Sequence, residues 1–253
     1  MTVILFRYYL KKTLKSPFTY LYLLGIPVYA LIFNLFTKTN IVITNSITFQ
    51  KNDFTNFQVV SINIISFLTA GFLIGLSTSI LRDRYIKYEK KFKEEIARIT
   101  TIIGIAIIST IPYLIIYIII LLVNNYGFDK SILLLFISIL FMIIMLSVFM
   151  GFLANFFRQA ALYTIGWVLY LLSLLLPFLE KRILIHDPSS VYNGIVKTVI
   201  IILPPFKNLM KISENNNYST LLNAVFYTLI LIIILFIYTE GVNFARKKMH
   251  HGG

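Results

Sequence analysis

The sequence predicts an all-α integral membrane protein, and three observations carry that reading. Six apolar runs, each about as long as a bilayer is thick, are distributed along the 253 residues; a helix needs roughly 20 mostly apolar residues to cross the hydrocarbon core. Fifteen of the 23 Lys and Arg residues collect in alternate gaps between those runs. With 58% hydrophobic and 13% charged residues and a mean hydropathy of +0.83, the chain has too little polar surface to enclose a soluble core.

Spans are predicted at 18–36, 59–81, 99–123, 131–154, 160–178 and 220–239. The first follows a basic stretch, as a secretory signal would. Leu21 to Phe36 lacks a small-residue cleavage site before Thr37, however, so a retained helix is expected. A cytoplasmic N-terminus gathers Arg7, Lys11, Lys12 and Lys15, then Arg82, Arg84, Lys87, Lys90, Lys91, Lys93 and Arg98, then Arg158, and finally Arg246, Lys247 and Lys248 on the inner side. That is the positive-inside bias, and an even number of spans returns the C-terminus to the same side.

Residues 1–17 place Arg7, Lys11 and Lys15 at steps of four, with Phe6, Leu10 and Leu14 toward the opposite boundary. This pattern fits an interfacial helix whose Arg7, Lys11, Lys12 and Lys15 meet inner-leaflet lipid; a generic positive-inside anchor reads the same way. Ser16-Pro17 ends it and turns the chain into the first span. After an outer loop over 37–58, rich in Thr, Asn and Gln, the second span carries Gly71, Gly75 and Ser79. Small residues four apart form a packing stripe that admits a neighbouring helix.

Residues 82–98, RDRYIKYEKKFKEEIAR, are the most polar stretch beside a span. Tyr85, Tyr88, Phe92, Ile96 and Ile99 recur at three- and four-residue steps, with Lys and Glu between them, so an amphipathic helix is expected at the cytoplasmic face. It is either a docking element for a cytosolic partner or a solvated extension of the adjoining spans. The turns at 124–130 and 155–159 are too short to house a catalytic domain. The outer segment 179–219 contains an apolar stretch over 191–203, closed by Pro204-Pro205. At that length it re-enters the outer leaflet or lies at its interface; a seventh span would push Arg246, Lys247 and Lys248 outside, against the charge rule. Tyr and Phe residues are expected mostly near span ends, as interface belts.

The chemistry for several function classes is missing. No phosphate-loop pattern occurs among the eleven glycines, so an ATP cradle is not expected here. The predicted spans hold no Asp, Glu, Lys, Arg or His near their centres, where ion-driven carriers place their coupling groups. Asn34, Asn63 and backbone carbonyls remain as possible cation ligands. Glu180, His186 and Asp187 are the outer candidates for a reactive cluster, and His186-Asp187-Pro188 reads better as a turn. No ligand set has metal-binding spacing, and the chain has no cysteine. The net charge of +13 sits beside spans, where anionic lipid head groups attract it, so nucleic acid is not an expected partner.

Together, the basic N-terminal helix, the Lys15-Ser16-Pro17 break, Pro27 in the first span, the charged helix before the third, and the apolar stretch with Pro204-Pro205 before the sixth form a layout. It resembles the ABC-2-type permease subunits of bacterial ABC exporters, phenol-soluble modulin and bacteriocin peptide exporters among them. The likeness covers nearly the full length in layout. The Arg-Glu-rich stretch with Gly-Thr or Pro that family members often carry at the inner loop is replaced here by residues 88–95.

The resemblance implies a non-catalytic half-transporter in a bacterial cytoplasmic membrane, pairing with a second permease copy or paralogue and with cytosolic ATPase subunits that bind ATP and Mg. Residues 84–98 would be the coupling helix, with Phe92 as apolar anchor and Tyr88, Glu89, Glu94, Glu95 and Arg98 as further contacts. Spans one, two and five would line the path, and their uncharged walls suit an amphipathic peptide-like cargo. The alternatives are an ion-coupled or facilitative carrier and a non-transporting immunity or scaffold protein.

Overall fold

The structure is a computed structural model that describes residues 2–38, 42–44, 47–48, 54–81, 92–123, 130–186, 191–210 and 219–251. Its helices are α1 (Thr2–Leu14), α2 (Pro17–Lys38), α3 (Phe54–Leu81), α4 (Phe92–Val123), α5 (Lys130–Leu153), α6 (Gln159–His186), α7 (Val191–Ile202), α8 (Phe206–Met210) and α9 (Ser219–His251). Among the described residues, α3, α4, α5, α6 and α9 each contain a stretch long and apolar enough to cross a membrane, and α2 contributes the shorter apolar stretch Pro17–Leu31. The helical membrane character expected from the sequence is therefore present. Beside the helices, Val42–Thr44 pairs antiparallel with Ile47–Thr48. The β-branched Val, Ile and Thr residues there favour the extended backbone.

Helices α3 and α5 are the most enclosed and pack on each other at the centre. Around them, α2, α4 and α6 lie against α3, while α4 and α9 lie against α5. Lipid is as apolar as leucine, so burial alone gives these helices little reason to associate; close packing and interhelical hydrogen bonds must do it. The buried aromatic and hydroxyl groups show how. Tyr22 of α2 reaches Thr69 Oγ1 of α3 at 3.0 Å and Thr110 Oγ1 of α4 at 3.2 Å. Its ring stacks on Phe72 with centroids 4.5 Å apart, and the Tyr113 hydroxyl of α4 donates to the Tyr22 carbonyl. One residue thus joins three helices.

Tyrosines were expected at span ends, yet Tyr9, Tyr22, Tyr29, Tyr113, Tyr117 and Tyr170 are fully buried. The phenol gives each of these rings both packing area and a polar group that can bridge helices.

One end of the bundle gathers α1, the start of α4 and the turn between α5 and α6. There Tyr9 and Thr13 form the buried face of α1, which packs on α4 and α2. Leu14, expected on the apolar side, is exposed. Ser16 N–H donates to Thr13 O at 2.9 Å, and Thr19 Oγ1 donates to the same carbonyl at 2.5 Å, so the break before α2 is closed by local hydrogen bonds.

At the opposite end, α7 lies along α6 with Val191, Tyr192, Ile195, Ile201 and Ile202 exposed. Twelve residues of helix reach only about 18 Å, short of a roughly 30 Å hydrocarbon core. Pro204-Pro205 then turns the chain inward, so that Phe206 and Leu209 of α8 are buried against α5 and α6.

The Tyr22 junction makes a direct prediction. Tyr22→Phe keeps the ring stack but removes the link to Thr69 and Thr110, and interhelical hydrogen bonds in membrane proteins average about 0.6 kcal/mol each. A loss of roughly 1 kcal/mol is expected in reversible unfolding of the purified chain. Adding Thr69→Ala to Tyr22→Phe should cost less than the sum of the two single changes.

Candidate functional site

The coupling residues anticipated from the sequence fall on the end that carries α1. Tyr88 and Glu89 lie outside the described residues, as does the whole of 82–91. The described remainder of that segment, including Glu94, belongs to the first turns of α4, one continuous helix from Phe92 to Val123. Phe92 is half-buried and its ring meets Phe236 of α9 edge-on, with centroids 5.0 Å apart. Glu95 is buried, and Arg98 Nη1 lies 3.5 Å from its Oε1 one turn along the helix. Both polar contacts proposed at these positions are thus turned toward each other, and any partner meeting Phe92 meets it with Phe236 alongside.

The sequence reading gave no role to the neighbouring turn. Phe156 and Phe157 are exposed there beside exposed Arg158. Phe156 packs against Phe152 and against Tyr238 of α9, with both pairs of centroids 5.1 Å apart. Asn155 Nδ2 donates to Gly151 O at 3.0 Å and so closes the end of α5. Two aromatics and a cation presented on a held turn form a surface a protein can grip. The sequence signal was available in Phe156-Phe157-Arg158: two consecutive aromatics and a cation in a short turn between apolar runs. On α1, Arg7 and Lys11 are exposed and Lys12 is half-buried, and Lys15 just beyond its end is exposed.

The packing stripe on α3 works through rings. A Cβ added at Gly71 would stand 2.9 Å from the Trp167 ring of α6, and one at Gly75 would stand 2.7 Å from the Phe18 ring of α2. Ser79 is half-buried and donates to Leu76 O at 2.8 Å within its own helix. Gly71 and Gly75 therefore admit aromatic side chains from two helices at once. Phe18 also lies 5.6 Å from Tyr163 of α6, centroid to centroid. Helices α2, α3 and α6 are drawn into one wall by these contacts.

Beside that wall, a cleft of about 480 Å³ opens between α2 and α3. Leu21, Leu24, Val28 and Phe67 expose their side chains at it, and Tyr29 and Asn63 are its polar members. Such a surface can hold hydrocarbon or aromatic groups but offers no charge to an ion. Among the described residues, no group of three or more His, Cys, Asp or Glu side chains could hold a metal.

The fold and these surfaces define a multi-pass helical membrane protein. No protein-family model matches the chain, and no curated protein is similar to it in sequence.

Gly75 tests the wall. Gly75→Ala forces the Phe18 ring to shift, and overpacking of this kind costs about 1–3 kcal/mol. A drop of that size in the unfolding free energy is expected, and Phe18→Leu in the same chain should recover part of it. An Ala variant as stable as the parent would mean that the ring moves aside without cost.

Proposed function

We propose that this chain is the permease subunit of an ATP-driven exporter, forming half of a path for an amphipathic or hydrophobic cargo, peptide-like in its chemistry. The observation that carries the reading is the single wall of α2, α3 and α6 with its open apolar cleft. Those helices correspond to spans one, two and five, which the resemblance to ABC-2-type permeases assigns to the path. A half-path needs an exposed apolar face that a second subunit can complete, and Leu21, Leu24, Val28 and Leu31 supply one along α2.

On this proposal the chain crosses a bacterial cytoplasmic membrane six times, with both termini and the α5–α6 turn in the cytoplasm. The excess of Lys and Arg in the corresponding segments supports that orientation. Separate ATPase subunits, which bind ATP and Mg, would meet the end formed by Phe92, Phe156 and Phe157. Phe92 already packs on α9, so the docking surface proposed is the composite of α4, α9 and the α5–α6 turn. Energy would enter along α4, whose first turns lie at that surface.

Two outcomes follow. The purified chain should hydrolyse no ATP, with turnover appearing when a nucleotide-binding subunit is added. Hydrolysis by the chain alone, abolished by no removal of contaminants, would end the permease reading. Because the chain has no cysteine, Lys90→Cys and Asn215→Cys can each be probed on intact cells with an impermeant thiol reagent. Labelling is expected at position 215 and protection at position 90; the reverse pattern would invert the orientation.

A further inference from the structure

We propose that α2 is hinged at Gly25–Pro27 and that Tyr113 of α4 is the splint across the hinge, so that a shift of α4 resets the width of the cleft between α2 and α3. The inference concerns how the chain moves, and it stands whatever enters the cleft or docks at Phe92.

Two backbone features weaken α2 at one place. Pro27 has no N–H to give the Leu23 carbonyl one turn back, and its ring crowds that carbonyl, which is where helices kink. Gly25, two residues earlier, lacks the Cβ that restricts the backbone of every other residue type. The break falls in the middle of the cleft wall: Leu21 and Leu24 line the cleft before it, Val28 and Tyr29 after it. Across from them stand Ile64, Phe67 and Leu68 of α3. A bend at Gly25–Pro27 therefore moves half of one wall and leaves the other half in place. The half before the break is fixed by Tyr22, whose hydroxyl meets Thr69 and Thr110, and by Phe18 over Gly75.

Tyr113 touches α2 on both sides of the break. Tyr22 and Tyr29 lie two turns apart on one face of the helix, and both are buried. The Tyr113 ring centroid is 4.7 Å from that of Tyr22 and 6.2 Å from that of Tyr29. Two turns of helix rise about 11 Å, an interval that one ring at those distances fills. Its hydroxyl donates to the Tyr22 carbonyl. A Cβ at Gly25 would stand 2.5 Å from the same hydroxyl oxygen and 3.3 Å from Leu68 Cδ1, so Tyr113 reaches α2 because position 25 is glycine. Packing alone would allow such a glycine anywhere along the helix; here the glycine, the proline and the side chain that crosses them coincide. With Tyr113 seated, the two halves of α2 keep one angle. Drawn back with α4, it leaves the weakest stretch of α2 to bend, and the cleft changes width.

Spin labels on the full chain in lipid nanodiscs test this, since the chain has no cysteine of its own. Leu31→Cys places a label on α2 after the break and Tyr20→Cys one before it; each is paired with Leu229→Cys on α9, and all three positions are exposed. Double electron–electron resonance should give a narrow distance distribution for both pairs in the parent. Tyr113→Phe, which keeps the ring and loses the hydroxyl, should broaden and shift the distribution measured from position 31 by several ångström, while the one from position 20 holds. Gly25→Ala, which displaces the hydroxyl from the α2 side, should do the same and serves if the Phe variant fails to fold. Pro27→Ala added to Tyr113→Phe returns the backbone bond and should restore the narrow distribution. Unchanged distributions in both variants, equal broadening of the two pairs, or broadening that survives Pro27→Ala would each overturn the hinge.

Discussion

Tyr22 is the interaction on which the arrangement of the first three long helices depends. Its hydroxyl touches α3 and α4, its ring stacks on α3, and its own carbonyl receives the Tyr113 hydroxyl from α4. In water, leucine-rich helices would collapse together without such a device. In lipid the apolar faces are already satisfied, so orientation must come from groups whose geometry is specific. The hydroxyls are well placed for this because each helix already satisfies its own backbone: Thr110 Oγ1 donates to Ala106 O at 2.7 Å on its own helix while its oxygen faces Tyr22. With α2 held in this way, Phe18 is brought over Gly75, and the wall with α6 follows.

Much of the helix layout was legible because hydropathy reports where hydrocarbon is met. Helix ends were less legible, since hydropathy marks the border of the lipid and a helix can continue past it. Thus α6 extends to His186 and α9 to His251, through charged residues beyond the apolar runs. The same effect joins Phe92, Glu95 and Arg98 to α4: these residues, the described end of the charged pattern, continue into the apolar run as one helix. The pairing of Val42–Thr44 with Ile47–Thr48 went unread because a polar loop dominated its surroundings.

The candidate surfaces divide in the same way. Gly71 and Gly75 were recognisable as small residues on one stripe, but nothing local indicates that the groups entering it are the rings of Trp167 and Phe18, far away in the chain. Tyr22, Thr69 and Thr110 were equally hidden. A single hydroxyl in an apolar run has no period to betray it, and its partners lie 47 and 88 residues along. Lys207 reads in sequence as one more outer cation, but α8 carries it inward beside Phe206 and Leu209, which are buried.

The continuity of α4 has a mechanical consequence. Thr110, where Tyr22 grips the helix, divides it into an arm of about 27 Å toward Phe92 and one of about 20 Å toward Val123. Were the helix to tilt about that point, the Phe92 and Val123 ends would swing in opposite senses, the second by about three-quarters as much, against the packing of α1, α3, α5 and α9 along it. Pro112 lies two residues beyond the pivot, where its missing N–H makes the rod easiest to bend. The fulcrum and the weak point nearly coincide, so the two arms can transmit a tilt or absorb it according to how firmly the Tyr22 and Tyr113 hydroxyls hold the helix on either side.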